Sequence, residues 1–504
     1  MRMYRTGAEE RSKITRIVSD EEESNIENPH SSKAMLKADF RTVHPEFREA
    51  MEKHFPGLNK NHRYWYLLDY IIFHSPRRED ALEYMIADRK TICALEGKDY
   101  DPSHYSAITF LEAFTLDVIP LKISDYNSTI NLARRIYRPD WPTNVKTLID
   151  NELKHPCKQF EGVKFASGTK ITRRHVTEFR VWNRDEAINQ MVNEGCDDAY
   201  NLLKYLNNQD GNRFTKLHNN MQAACDYANA LEEPSRTRQL LNLAEIRLQA
   251  QPFYKASSKG RTVRAFTIGQ SILSVKTEIR HILCAEWIEL DLQSCHLAIC
   301  GSEWKIPEVQ VFLLSGESIW SSLAECLNLV LTPEIKDILK IYMYSIVYGD
   351  GADKLKDLID DSRLFKPGDH LKLKNHKVIK PLLKKRTTIM QKIAGEAVRC
   401  ACDGEYQVTK DIYGRAIECP WINDKPNPRS VLASCMQSIE LWLLAGCIDL
   451  VKDSDDCAIT LWQHDGFSFK CKHNKDSETW IKKFQSSVKE RADSRGIITS
   501  LVGK

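Results

Sequence analysis

The sequence predicts an α+β chain in which an antiparallel sheet carries the chemistry and helices supply most of the mass. Three observations predict it. Apolar residues recur at helical spacing through most of residues 35–250 and 305–400. A strand runs into a helix at "EIRHILCAEWIELDLQSCHLAI". Two β-type hairpins follow late in the chain, "EYQVTKDIYGRAIECP" with Gly414 at its turn and "ITLWQHDGFSFKC" with His464-Asp465-Gly466 at its apex.

In order, residues 1–34 are polar and charge-mixed and read as a loose tail. Residues 35–140 read as helical with aromatic clusters such as "HRYWYLLDYIIFH" and "ITFLEAFTLDVI", which suit a helical core. "RPDWP" at 138–142 marks a boundary, and helical text resumes over 143–250, with local positive charge in "SGTKITRRH". The character changes near 251, where "QPFYKASSKGRTVRAF" carries β-type residues and a Gly-Arg turn. A helix over 429–451, the second hairpin, a helix over 475–494 and a short strand in "GIITSLVG" complete the chain. There is no internal repeat.

The bulk numbers exclude several classes. At 504 residues the chain is too long for one core, and 42% hydrophobic with 28% charged residues is the balance of a globular protein. A net charge of +3 gives no global polyelectrolyte signal, so nucleic-acid binding needs locally concentrated cations. Fifteen scattered cysteines and no secretory apolar region near the start predict reduced thiols and a cytoplasmic setting. Cys400, Cys402 and Cys419 lack a convincing fourth ligand for zinc and read as plain thiols. No apolar run reaches bilayer-spanning length, so no membrane span is expected.

An acid at the tip of an apolar hairpin is unusual, because strand interiors keep carboxylates out. Asp291 ends the apolar run "WIELDL" in the same way. Two acids converging at a sheet edge can hold hard divalent cations through oxygen. Between them in sequence, "LTPEIKDILKIYMYSIVYGDG" has Pro333 to start a helix and Gly349 to stop one. Lys336, Lys340, Tyr344 and Tyr348 recur every four residues and form a stripe on one face. Two ammonium groups followed by two phenols suit a nucleoside triphosphate: cations for phosphates, rings for base and sugar. Lysines are costly on a buried face, so the stripe must face a groove or water.

These motifs resemble the family A, DNA polymerase I-like enzymes. K-x₃-K-x₃-Y-x₃-Y-G is similar to their fingers helix, motif B. Asp291 falls where motif A carries a metal-binding Asp, and "QHDGF" resembles motif C, commonly His-Asp-Glu. Order agrees, and so do distances: Lys340 lies 49 residues after Asp291, and Asp465 lies 125 after Lys340. The related single-subunit phage-type RNA polymerases have longer insertions there. "YGRAIECPWINDKPNPRSVLASCMQS", the strand pair in "EIRHILCAEWIELD" and the final "ITSLVGK" resemble further family elements, so the likeness covers 251–504.

The resemblance implies a right-hand polymerase with an antiparallel palm sheet and helical fingers and thumb. Its expected parts are a helical N-terminal domain with a loose tail over 1–145, a thumb-like region over 146–250, palm over 251–300, fingers over 301–425 and palm again over 426–504. It implies a template-directed DNA polymerase acting on a primer-template and nucleoside triphosphates with two Mg²⁺, for which Mn²⁺ substitutes. The metals would be held by Asp291, Asp465 and the Leu292 carbonyl. Lys340 and Lys336 would meet the phosphates. Tyr344, Tyr348 and His296 would line the nucleotide pocket. Arg261, Arg264, Arg429, Gln437 and His464 would contact the primer-template. Basic residues in 366–386 are further candidates for a template backbone, and Gly260 belongs with Arg261.

The chain departs from the family at two positions. His296 stands where the family commonly has Glu, five residues after Asp291; it is bulky, so deoxynucleotides stay the expected substrate. Gly466 replaces the usual second acid of motif C and removes a charge near the metals. No proofreading exonuclease motifs precede residue 250. An RNA-synthesising or primer-independent enzyme on the same core, and a non-catalytic nucleic-acid-binding derivative, are the alternatives. Oligomeric state is not legible in the sequence.

Overall fold

The computed structural model describes residues 44–61, 63–74, 82–87, 92, 95–96, 106–124, 134–155, 195–248, 250–257, 262–268, 270–402, 407–422 and 424–503. The chain divides into two compact units, Met1–Trp182 and Asn183–Lys504. The tail at 1–34, the basic "SGTKITRRH" stretch, Gly260 and Arg261 lie outside the described residues, as do the side chains of Cys400 and Cys402.

The first unit holds helices Pro45–His54, Tyr64–Phe73, Ser106–Asp117 and Thr143–Lys154. It also holds an antiparallel pair of strands, Tyr84–Ala87 with Arg134–Tyr137, where the sequence reads as helical. The pair forms across nearly fifty residues of chain, a separation that local periodicity does not register. Arg138 anchors it by donating to the carbonyls of Leu82, Ile71 and His74.

The second unit is built on a four-stranded antiparallel sheet. Its strands are β1 (Ile288–Leu292), β2 (Cys457–Trp462), β3 (Gly466–Cys471) and β4 (Leu501–Gly503), in spatial order β2-β3-β1-β4. The apolar side chains of one face, Leu290, Phe467, Phe469 and Leu501, are buried, and the ring of Phe484 packs on Phe467 and Phe469 from helix Ser477–Ser494. Gln293 and Ser294, the latter at φ 51°, turn β1 into the buried helix α1 (Cys295–Glu303). Thr277–Leu283 is a helix rather than the first strand of a pair: Ile279 and Leu283, one turn apart, are both buried.

The outer edge of β2 is covered. A bulge falls between Ile459 and Leu461. The Ile459 N–H donates to the Tyr205 hydroxyl at 3.0 Å, its carbonyl accepts from Gln209, and the Trp462 N–H donates to the Tyr254 hydroxyl at 3.0 Å. Tyr254 is itself clamped by Asn207, which bonds both its N–H and its carbonyl.

Helix α2 (Pro333–Val347) starts and stops as the sequence predicts. Thr332 caps it, accepting from Ile335 N–H, and Pro333 follows at the first helical position. Gly349, at φ 83°, reverses the chain: its N–H bonds Ile346 and the Asp350 N–H bonds Ser345 at 2.8 Å, a Schellman ending. Helix α3 (Arg429–Val451) corrects the expectation that no run reaches membrane-spanning length. It has an 18-residue window of mean hydropathy 1.6, and 78% of that window is buried inside the protein. None of the described cysteines forms a disulfide.

Candidate active site

The site grows from one register. Gly466 pairs with Asp291 across β3 and β1, and the next rung joins the Leu292 N–H to the Asp465 carbonyl at 2.8 Å. Asp291 and Asp465, 174 residues apart, thus occupy consecutive rungs of adjacent strands. A Cβ at position 466 would lie 2.3 Å from the Leu290 carbonyl oxygen and 2.7 Å from Asp291 Oδ1. The glycine lets the two strands approach closely, and the Asp291 carboxylate fills the space a 466 side chain would need. The missing acid of "QHDGF" is a packing requirement here.

The turn between β2 and β3 adds a third donor. The Asp465 N–H bonds back to the Gln463 carbonyl at 2.9 Å, around His464 at φ 69°. This is the spacing of a γ-turn with a positive central φ, a strained form. In a regular ladder the Asp465 N–H would close on the Leu292 carbonyl. That N–H is turned back into the hairpin instead, and the Leu292 carbonyl belongs to the same rung as Asp465. Asp291, Asp465 and the Leu292 carbonyl have only oxygen to offer, the donor type that Mg²⁺ accepts together with substrate phosphates. Among the described residues no three His, Cys, Asp or Glu are grouped so as to hold a metal ion.

Facing this edge is the C-terminal half of α2. Lys336 and Lys340 are exposed, and Tyr344 and Tyr348 are half-buried. The Lys340 ammonium lies 5.9 Å from the centre of the Tyr344 ring. The two phenols stack with centroids 6.2 Å apart and planes within 14°. His296 of α1, 5% exposed, meets both edge-on at 5.2 and 5.4 Å. Its Nε2 lies 2.8 Å from the Tyr348 hydroxyl. Burial, and then the Arg264 charge, push the His296 pKa down to about 4, so the ring is neutral.

The four other primer-template candidates that the structure describes are spread around this centre. His464 packs against the Phe266 ring at 5.8 Å, its Nδ1 is buried without a hydrogen bond, and burial pushes its pKa down to about 4. Gln437 of α3 accepts from the Thr262 hydroxyl. Arg429, at the start of α3, is paired with Asp350 just past the end of α2. Arg264 makes a bidentate pair with Glu440 of α3, its Nη2 2.7 Å from Oε2 and its Nε 3.1 Å from the same oxygen. In the 366–386 stretch, Arg386 is buried and donates to the Ile346 and Asp350 carbonyls, while Lys374, Lys384 and Lys385 are exposed.

Glu440 is the residue the sequence reading missed. It is 1% exposed and lies 3.8 Å from His296 Nε2. Burial pushes its pKa up to about 7; Arg264 opposes the rise, and the nearby Asp465 and Asp291 add to it. The signal was present: a lone acid inside the apolar run "SIELWLLAG". Phe266 was missed as well, its ring partly exposed beside the hairpin tip.

No protein-family model and no curated protein matches the chain. Among solved structures there is a weak likeness at the level of fold to the polymerase domain of Pol1 from M. smegmatis, in complex with DNA primer-template and dNTP. It has a TM-score of 0.40 and 12% identity, over 95% of this chain and 69% of that one.

Proposed function

We propose that this chain is a template-directed DNA polymerase that extends a primer 3′-OH with deoxynucleoside triphosphates. One observation carries the reading: Asp291 and Asp465 lie on consecutive rungs of adjacent strands, and α2 carries an exposed lysine that leads into two stacked phenols. Asp291, Asp465 and the Leu292 carbonyl would hold divalent metal, Mg²⁺ or Mn²⁺, shared with the triphosphate. When bound, the metal supplies Lewis-acid activation of the 3′-OH and neutralises the pyrophosphate that leaves.

The chain's own residues do the rest. Lys340 orients the phosphates and supplies a proton to the leaving pyrophosphate, and Lys336 meets the distal phosphates. Tyr344 and Tyr348 form a flat shelf for sugar and base, with His296 as its back wall. The buried imidazole fills space at the shelf and disfavours a 2′-hydroxyl. Neutral His464, at the hairpin tip beside Phe266, faces the primer terminus. Arg429 and Gln437 line the primer-template side from α3.

Primer extension tests this: purified protein, Mg²⁺, a primed template, and deoxy- or ribonucleotides in separate reactions. Deoxynucleotide incorporation is expected. Asp465→Asn should abolish it while leaving nucleic-acid binding near the wild-type level. Ribonucleotide-only incorporation would show an RNA-synthesising enzyme, and binding without any incorporation would show a non-catalytic derivative.

A further inference from the structure

Two of the buried cysteines face each other. Cys457 opens β2, Cys471 ends β3, and the register pairs them at the open end of the hairpin that mounts Asp465. The rungs of an antiparallel ladder alternate between hydrogen-bonded and non-hydrogen-bonded pairs. The Lys472 N–H donates to the Asp456 carbonyl at 2.7 Å, which makes the neighbouring rung the hydrogen-bonded kind and the cysteine rung the other. Ile459, two residues along β2, agrees: its N–H and its carbonyl both turn outward, to Tyr205 and Gln209. Partners on a non-hydrogen-bonded rung hold their Cα atoms about 4.5 Å apart, with the side chains at their closest. A disulfide spans Cα atoms about 4.4–6.8 Å apart. Strand alternation puts Cys471 on the buried face with Phe467 and Phe469. Cys457 and Cys471 are 2% and 4% exposed, and both are free thiols. The next rung outward, Asp456 with Lys472, is exposed, so a small reagent has one residue's depth to cross.

We propose that Cys457 and Cys471 are an oxidation site: a hydroperoxide converts them into a cross-strand disulfide that fastens the open end of the Asp465 hairpin. The proposal stands apart from the polymerase reading. The thiolate of one cysteine attacks a peroxide oxygen, the O–O bond breaks, and a sulfenic acid and a hydroxide form. The second sulfur attacks the sulfenic sulfur, the S–O bond breaks, and the oxygen leaves as a second hydroxide. The two thiol protons turn both hydroxides into water; the sulfurs lose two electrons and the peroxide gains them. Burial pushes the Cys457 thiol up, so attack is slow and follows fraying of this end of the sheet. Under reducing conditions the pair stays as thiols, and peroxide closes the bond.

The test treats the folded full chain with hydrogen peroxide, raised until the half-buried Cys326 or Cys435 oxidises. The remaining thiols are then blocked with N-ethylmaleimide in denaturant, without reduction, and tryptic peptides are mapped by mass spectrometry. Trypsin cuts after Lys470 and so separates the two cysteines. A peptide pair joined through Cys457 and Cys471, lighter by two hydrogens than the free peptides, is expected, and dithiothreitol should part it. Separately blocked Cys457 and Cys471 overturn the proposal, and so does a main product that joins either of them to another cysteine.

Urea unfolding reads the fastening. The bond closes a loop of 15 residues, Cys457–Cys471, and should raise the midpoint by about 1 M. Dithiothreitol should abolish the rise, and Cys471→Ala should lack it. A mapped bond with an unchanged midpoint overturns the fastening, as does a rise that survives dithiothreitol or persists in Cys471→Ala. If Cys471→Ala does not fold, the peptide map and the dithiothreitol reversal of the wild type decide.

Discussion

Replacing Gly466 by alanine probes the closest approach in the site. The new Cβ would sit 2.3 Å from the Leu290 carbonyl oxygen and 3.0 Å from Asp291 Cα, both backbone atoms that have no rotamer to escape into. Reaching the 3.0 Å that real Cβ atoms keep requires β3 and β1 to part by roughly 0.7 Å. Overpacking of this kind costs about 1–3 kcal/mol. Weakening the Leu292–Asp465 bond, now 2.8 Å, adds about 1 kcal/mol. The sum is about 2–4 kcal/mol; at an m-value of about 3 kcal/mol/M the urea midpoint falls by about 1 M. The same movement separates Asp291 from Asp465, and a misplacement of about 1 Å in a catalytic constellation costs about 10²-fold in rate. Urea unfolding followed by primer extension measures both. Gly503→Ala is the matched control: Gly503 lies on β4, also against β1, and a Cβ there meets nothing within 4 Å. A Gly466→Ala protein with the control's midpoint and activity would refute the close-approach argument.

Four further outcomes are expected. Lys340→Ala leaves the unfolding free energy within about 0.5 kcal/mol, because the residue is exposed, and lowers kcat/KM for nucleotide by about 10²-fold in steady-state extension. Tyr254→Phe strands the Trp462 N–H at the covered edge of β2 and costs about 1–3 kcal/mol, read by the same unfolding titration. The His464 pKa falls from 6.5 to about 4 on folding, so its contribution to stability is complete above pH 6.5 and is lost as the pH drops through about 4. At 1.36 kcal/mol per unit this is about 3 kcal/mol, and His464→Asn, which tolerates the positive φ, should flatten the loss of stability between pH 6.5 and 4 by that order. Gly349→Ala puts a Cβ at φ 83° and 3.0 Å from Met390 Sδ; it should lower the unfolding free energy by about 1–2 kcal/mol and loosen the Arg429–Asp350 pair.

The local chemistry of the site could be read from the sequence because it is written in short segments. Thr332-Pro333 and Gly349 bracket a helix by rules that act within one turn, and the four-residue stripe from Lys336 to Tyr348 follows from helical pitch. Asp291 and Asp465 were legible as acids ending apolar strands. That they converge was an expectation of spacing and resemblance; the register that sets them on consecutive rungs was not legible, since it depends on Gly466 and on the turned-back N–H of a strained turn. Arg264 and Glu440, 176 residues apart, show the same limit. The sequence offers Arg264 as an available cation, and only the tertiary fold brings a carboxylate to it. Thr277–Leu283 and the Tyr84–Ala87 pair were misread because short apolar runs suit either period, and packing decides between them. In α3, apolarity on every side reflected burial within the protein.

The covered edge of β2 has a consequence beyond the site. An open strand edge is a template on which another chain can add its own strand, the route by which sheets recruit foreign peptides and grow into aggregates. Here Tyr205, Gln209 and Tyr254 take up polar groups that such a strand would use, and the opposite border of the sheet is the three-residue β4. The hairpin that mounts Asp465 is thereby insulated from strand addition, so loss of Tyr254 threatens the protein's solubility at high concentration as well as its stability.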